Sequence, residues 1–514
     1  MRRTLATVAV ALSLAATGVT APSYAATGEP DVTFSPSRVP DVAPTEVTPA
    51  QALETAGAAL EGEVAGDRRP EATLALRDLF GALPSLTGDD RAEAESILAR
   101  PTDGADDPQG DGYSVRSKKK CSTRICVHWV SSTGDKARGK WATRTLRVMK
   151  AVWRKEVGSM GYRRPVKDGR IGGKGGKFDV YLNNVGAQGL YGYCAPEYLV
   201  RGYQRVANGY CVLDNDFARS QYGAKPVKSL QVTAAHEFFH AIQFGYDYRE
   251  DPWLMEATAT WIEERFADGI NDNRQYLNDS QLKLSYVPLD TFNGNRSFQY
   301  GNWVFFEFLS QRYGTAIVKK IWKRIGHYRA DGKTYSIDGV KRSIPASTSF
   351  KELYTKFATA NVTPGRSYPE GSTWPTPTWA GTGRLGKGQA AMGTPDISHL
   401  ASNAFRLKPK KGLNRRKYQL RVSVDGPGSK SSPSAAVVWQ KKSGAVTRLP
   451  LRLNDRGNGS RTVPFNRRQT QRIVVVAVNA STRYRCGAGD FTYSCRGNPR
   501  DDGRAFGLRF KVVD

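Results

Sequence analysis

The chain has 514 residues, a formal net charge of +28 and 39% hydrophobic residues. That length is too great for one ordinary domain and predicts two or three. Beyond residues 1–25 no apolar run reaches the length of a membrane span. The basic residues are scattered and accompany no nucleic-acid-binding motif, so specific nucleic-acid recognition is not expected.

Residues 1–25 read as a secretory signal peptide, with basic Arg2 and Arg3, an apolar run over 5–21 and a small-residue cleavage signature at Ser23-Tyr24-Ala25. The expected location is therefore extracellular, after bacterial export. Residues 26–112 hold 18 acidic and 6 basic residues, which leaves a net +38 on residues 113–514. Helical stretches are predicted over 51–69 and 70–100, with Leu74, Leu76, Leu79, Phe80 and Leu83 as an apolar stripe. The Gly/Asp/Pro-rich stretch 101–112 reads as a linker. An acidic helical segment between an export signal and a linker reads as a propeptide. Attraction between it and the basic remainder would hold it docked, would weaken with salt, and would be released by a cut in the linker.

From Tyr113 the pattern predicts strands over 125–130, 177–182 and 209–213, and helices over 140–156, 228–244, 252–266, 300–313 and 316–325. A small sheet followed by helices is an α+β arrangement. From about residue 395 alternating runs such as 418–424, 435–439 and 473–478, separated by turn residues, predict an all-β sandwich. Six cysteines fall in three local pairs. In an exported chain these read as disulfides Cys121–Cys126, Cys194–Cys211 and Cys486–Cys495, although six cysteines allow 15 connectivities.

The chemistry concentrates in His236-Glu237-Phe238-Phe239-His240. Histidines four apart on a helix project from one face, one turn apart, as a metal with two nitrogen ligands requires. Glu237 sits where its carboxylate reaches a metal-bound water, and Gly245 is the expected stop of this helix. A second helix is expected to open with Asp251 as N-cap and Pro252 at its first position. Glu256 lies on its first turns between Trp253, Met255 and Trp261, and the small Ala257 and Ala259 allow close approach. Two His and one Glu with a fourth position open is the ligand set of a catalytic zinc site. The remaining histidines, His128, His327 and His399, lack ligand-like spacing and read as structural or surface residues.

The HEFFH stretch followed by Trp253-Leu-Met-Glu256-Ala-Thr-Ala-Thr-Trp261 resembles the gluzincin metallopeptidases, the clan of thermolysin and aminopeptidase N, and a group of secreted bacterial metalloproteinases with the same pattern. The resemblance implies a zincin-like catalytic domain, Zn2+ on His236, His240 and Glu256, and Glu237 as general base. The segment beginning at Tyr300 is similar to the aminopeptidase-N stretch whose leading tyrosine stabilises the oxyanion, which gives Tyr300 that role by analogy. The strand over 209–213 resembles the edge strand along which such enzymes bind substrate backbone. Only 15 residues separate His240 from Glu256, and Thr260 stands where thermolysin has a histidine-orienting aspartate, so the orienting residue is left unassigned.

The domains expected are thus a signal peptide (1–25), an acidic propeptide and linker (26–112), a zincin-like metallopeptidase domain (113–394) and a β-sandwich (395–514). The function expected is a secreted zinc-dependent peptidase acting on peptide or protein substrates, with an anionic cell-wall or surface polymer as a second kind of partner. Two alternatives stand beside it: a catalytically inactive metal-binding adhesion or cell-wall module, and a zinc hydrolase of non-peptide amides or esters.

Overall fold

The computed structural model describes residues 32–34, 48–61, 72–103, 112–169, 175–292, 297–328, 334–489 and 492–514. The signal-peptide reading and most of the linker fall outside them. The architecture is α+β.

In chain order the N-terminal part gives β1 (Val32–Phe34), α1 (Pro49–Glu61), α2 (Ala72–Ala82) and α3 (Gly88–Ile97). Next come β2 (Lys118–Cys121), β3 (Ile125–Trp129), α4 (Gly139–Trp153), β4 (Phe178–Asn183), β5 (Gly192–Leu199), β6 (Ala207–Asp214) and the short α5 (Arg219–Tyr222). The helices that follow are α6 (Pro226–Asp247), α7 (Pro252–Ala267), α8 (Phe298–Gly301), α9 (Trp303–Tyr313), α10 (Ala316–Ile325), α11 (Ser336–Ser343) and α12 (Phe350–Asn361).

Strands β2–β6 form one sheet in the order β2-β3-β4-β6-β5, parallel at β3-β4-β6 and antiparallel at both ends. The strand over 209–213 is therefore interior, and the edge is β5. The substrate-edge reading of that strand is corrected accordingly. Residues 192–199 carry Gly, Pro and Glu and gave no strand alternation of their own; pairing with β6 makes them a strand. The face of β4 bearing Phe178 packs under α6, with the Phe178 and Phe238 rings edge to face at 5.2 Å. Cys194 and Cys211 are cross-strand partners and form one of the three disulfides, all of them the sequence-local pairs.

Helix α6 is buried on every side from Val232 to Asp247, which marks a core helix rather than a surface one. It does not stop at Gly245. The next turn is held because Tyr246 and Asp247 are buried, and the Asp247 carboxylate accepts from Arg205 at 2.9 Å and pairs with His327 at 3.2 Å. Asp251 does occupy the N-cap position of α7, but its carboxylate faces outward from the helix, accepting from Ser336 Oγ and from the Cys495 backbone N–H at 2.9 Å.

The C-terminal part comprises β7 (Gly381–Leu385), β8 (Ala390–Gly393), β9 (Asp396–Ile397), β10 (Ala401–Pro409), β11 (Gln419–Asp425), β12 (Pro433–Lys441), β13 (Val446–Leu451), β14 (Asn458–Pro464) and β15 (Thr470–Asn479). It ends with β16 (Tyr484–Arg485), β17 (Asn498–Pro499), β18 (Arg504–Ala505) and β19 (Gly507–Val513). Two five-stranded sheets, β1-β8-β19-β11-β14 and β13-β12-β15-β10-β7, enclose a common core. Period-2 alternation sorts β15 between two cores. Ile473, Val475 and Ala477 enter the sandwich, whereas Val474, Val476 and Val478 join the core of the helical part.

The segment before residue 113 is tied into both parts. Phe34 enters the sandwich core, where a side chain at Gly381 would collide with its ring at 2.3 Å. Leu74, Leu76, Leu79 and Phe80 are buried in the core that also holds α6, each worth about 1.5–3 kcal/mol of burial. The acidic residues of α3 are exposed to solvent. Across this junction the buried Arg100 pairs with Asp168, Asp179 and Glu197, whereas Arg77, paired with its neighbour Asp78, donates to the Glu250 backbone carbonyl.

Candidate metal centre

Close approach of α6 and α7 creates the site. Ala257 and Ala259 are fully buried between the helices and Glu256 has no exposed surface. His236 Nε2 lies 3.2 Å from Glu256 Oε2, and His240 Nε2 lies 3.4 Å from Glu256 Oε1. The three ligand atoms all fall within 4.8 Å of one another. A tetrahedral zinc with bonds of about 2.0–2.1 Å has ligand–ligand edges of about 3.3 Å, and each imidazole stands about that far from one of the two Glu256 oxygens. Glu256 Oε1 is buried without a hydrogen bond, as an oxygen reserved for a cation would be. The residues thus fit a zinc ion.

The far side of each imidazole is also fixed. His236 Nδ1 lies 2.7 Å from Glu263 Oε1, and His240 Nδ1 lies 2.7 Å from Gln243 Oε1. The Gln243 amide nitrogen donates to Met255 O at 2.9 Å and to Thr258 Oγ1 at 3.2 Å, which turns its oxygen toward His240. With a metal bound, each Nδ1 would keep its hydrogen for its oxygen partner and each Nε2 would turn a lone pair to the shared point. Sequence reading named neither orienting residue. Thr260 does not do it; Glu263, two turns after Glu256 on α7, serves His236, and its signal was the helical spacing of Glu256 and Glu263 on one face.

Electrostatics follow from burial. Burial opposes charge on His236, yet Glu256 and Glu263 raise its pKa well above the usual histidine value. Burial likewise opposes ionisation of Glu256, but His240 and His236 hold its pKa below the ordinary carboxylate range. Glu237 lies on the same helix and is 7% exposed; burial raises its pKa. Tyr300 stands across the site, its ring 6.0 Å from that of His236 and stacked on Tyr276 at 4.8 Å.

The N-terminal segment reaches this centre. Thr73 Oγ1 donates to Glu237 Oε2 at 3.0 Å and accepts from the Cys194 backbone N–H of edge strand β5 at 3.0 Å. Arg77 donates to Glu250 O at 2.9 Å, on the connection between α6 and α7. On the sheet face opposite α6, Arg100 meets Glu197, Asp179 at 3.5 Å and Asp168 at 3.8 Å.

His128, His327 and His399 lie away from the centre and pair with Asp179, with Asp247, and with both Asp290 and Asp502. Two other clusters among the described residues have ligand-like spacing. In Cys126, His128 and Asp179 the cysteine is locked in a disulfide, and in Glu264, Asp268 and Glu370 two of the carboxylates already pair with Arg265 and Arg274.

No family model matches the chain, and no curated protein matches it. Among solved structures it is similar to the pre-peptidase C-terminal domain of a collagenase from Bacillus anthracis, at 7% identity and TM-score 0.15, over 26% of this chain and 94% of that one. A family GH115 4-O-methyl-α-glucuronidase with specificity for decorated arabinogalactans matches at 10% identity and TM-score 0.13, over 56% of this chain and 38% of that one. Likenesses this slight bear on neither the fold nor the activity.

Proposed function

We propose that the chain is a secreted zinc-dependent peptidase with a zincin-like catalytic domain, held latent by its N-terminal helical segment. The observation that carries this reading is the convergence of His236, His240 and Glu256 at tetrahedral spacing, with both Nδ1 atoms held and Glu237 beside them. Three disulfides, and the lack among the described residues of a helix long and apolar enough to cross a membrane, are compatible with export.

A zinc ion bound by the three ligands supplies Lewis acidity, polarising a carbonyl and making water acidic near neutral pH. Glu237 accepts a proton from the attacking water and returns it to the leaving amine. Strand β5 receives the substrate backbone, with the Cys194 N–H, now taken by Thr73, available to a substrate carbonyl. Tyr300 donates its hydroxyl proton to the developing oxyanion. An extended edge strand beside the ligands favours a peptide substrate over a small ester or amide. The Thr73 contact with Glu237 favours a latent enzyme over an idle metal-binding module.

The test is zinc-dependent cleavage of casein or of a peptide library by a chain freed of residues 26–103, beside its Glu237→Gln variant. Cleavage by the first and silence of the second is the expected result. Silence of both with zinc bound would overturn the peptidase reading.

A further inference from the structure

The sheet β13-β12-β15-β10-β7 contains no acidic residue in any of its five strands. Its outward face has two parts. Ala404, Val438, Val474 and Val476 are covered by the helical part, and beyond them the same face runs out to solvent. There the register places Lys408 beside Arg384, and the pairing Leu407↔Ile473, continued by one residue, places Lys408 beside Arg472. Arg384, Lys408 and Arg472 thus form a row across three adjacent strands, about 4.8 Å apart. Arg406 precedes the row on β10, and Lys442 follows at the end of β12.

Like charges directly opposite one another on a sheet are destabilising. Among the described residues none of these five has a carboxylate within ion-pair distance. Burial, with Arg384, Arg406, Arg472 and Lys442 around it, lowers the pKa of Lys408, so the cations act on one another as a group. Arg472 donates to Gln440 Oε1 and Arg406 lies over the Trp379 ring, but among the described residues no carboxylate relieves this repulsion.

We propose that this row is a docking surface for a linear acidic polysaccharide, a polymer with one carboxylate per sugar repeat. Such a chain laid across the strands meets cations spaced about as its own charges are. Single-stranded nucleic acid is a poorer fit, because it needs exposed aromatic rings for its bases. The exposed large apolar side chains among the described residues are Val115, Leu199 and Tyr203, none of them on this sheet. The surface is remote from the metal ligands in sequence and does not depend on them. Its role is to concentrate the protein on an anionic matrix by electrostatic attraction.

The test uses the full chain and polygalacturonate, with neutral dextran and double-stranded DNA as competing probes, at about 0.15 M salt. Arg384→Gln/Lys408→Gln/Arg472→Gln should bind polygalacturonate about tenfold more weakly than wild type, a loss of about 1.4 kcal/mol. Its thermal midpoint should not fall, since repulsion has been removed. Lys118→Gln/Lys119→Gln/Lys120→Gln removes the same charge from the exposed strand β2 and should bind as wild type does. Equal loss in the two triple variants would reduce the effect to net charge and overturn the proposal. So would tighter binding to DNA, or no binding of wild type to polygalacturonate.

Discussion

If the chain is the latent peptidase proposed, cutting it within residues 104–111 should leave it silent, and replacing Arg100 in the cut form should wake it. The described residues on either side of that stretch are both fastened. Tyr113 N donates to Pro101 O at 2.6 Å, the Tyr113 hydroxyl donates to Leu182 O at 3.0 Å, and Leu98 O and Ala99 O accept from Tyr210. Arg100 is 2% exposed among three carboxylates, and burial together with Asp179 pushes Asp168 up to about 7, so removing the guanidinium strands acidic groups. Losing one partner of such a buried set costs about 3–5 kcal/mol, which is a factor of at least 10² in docking of the severed segment. The assay is cleavage of a small peptide by the two-chain form on dilution, with co-elution of the segment as a readout independent of catalysis. Wild type should stay silent with its segment bound, and Arg100→Gln should release segment and gain activity on dilution. Because the docking contacts are buried, added salt should change this little. Full activity of cut wild type at every dilution, or identical behaviour of Arg100→Gln, would refute the reasoning.

Other outcomes follow from the same geometry. Glu263→Ala and Gln243→Ala should each weaken zinc affinity about 10- to 100-fold without removing a ligand, measured by chelator competition; unchanged affinity would deny them their orienting role. Tyr300→Phe should lower kcat with KM little changed, whereas an unaltered kcat would move oxyanion stabilisation elsewhere. His399 lies buried between Asp290 and Asp502. Burial opposes its charge, but the two carboxylates raise its pKa to about 9 from 6.5. A raised histidine pKa stabilises the fold fully below about 6.5 and ceases to as pH passes 9, so the thermal midpoint should fall across that window. His399→Gln should flatten the profile, and an equally steep profile in the variant would place the titration elsewhere.

The cluster of His236, His240 and Glu256 was legible because helix geometry makes spacing informative: His236 and His240 four apart must share a face. Glu256 was legible through its neighbours Trp253, Ala257 and Trp261, which require burial. The sandwich strands announced themselves as short runs between turn residues, alternating in β11 and continuously apolar in β15, whose two faces are both buried. Strand β5 was not legible, because its Gly192 and Pro196 carry no β signal and only pairing with β6 makes it a strand. Nor was the true end of α6, which passes Gly245 because Asp247 finds Arg205 and His327 far away in sequence. Net charge misled about the N-terminal segment. The acidic side chains of α3 face water, and the segment's described contacts rest on an apolar stripe, Thr73, Arg77 and Arg100.

The most direct test of the account is the metal content of purified protein and its single-residue variants, read by elemental analysis. Wild type and Glu237→Gln should carry stoichiometric zinc, and His236→Ala, His240→Ala and Glu256→Ala should lose most of it while remaining folded. Zinc at the wild-type level in all three ligand variants would contradict the assignment of the centre.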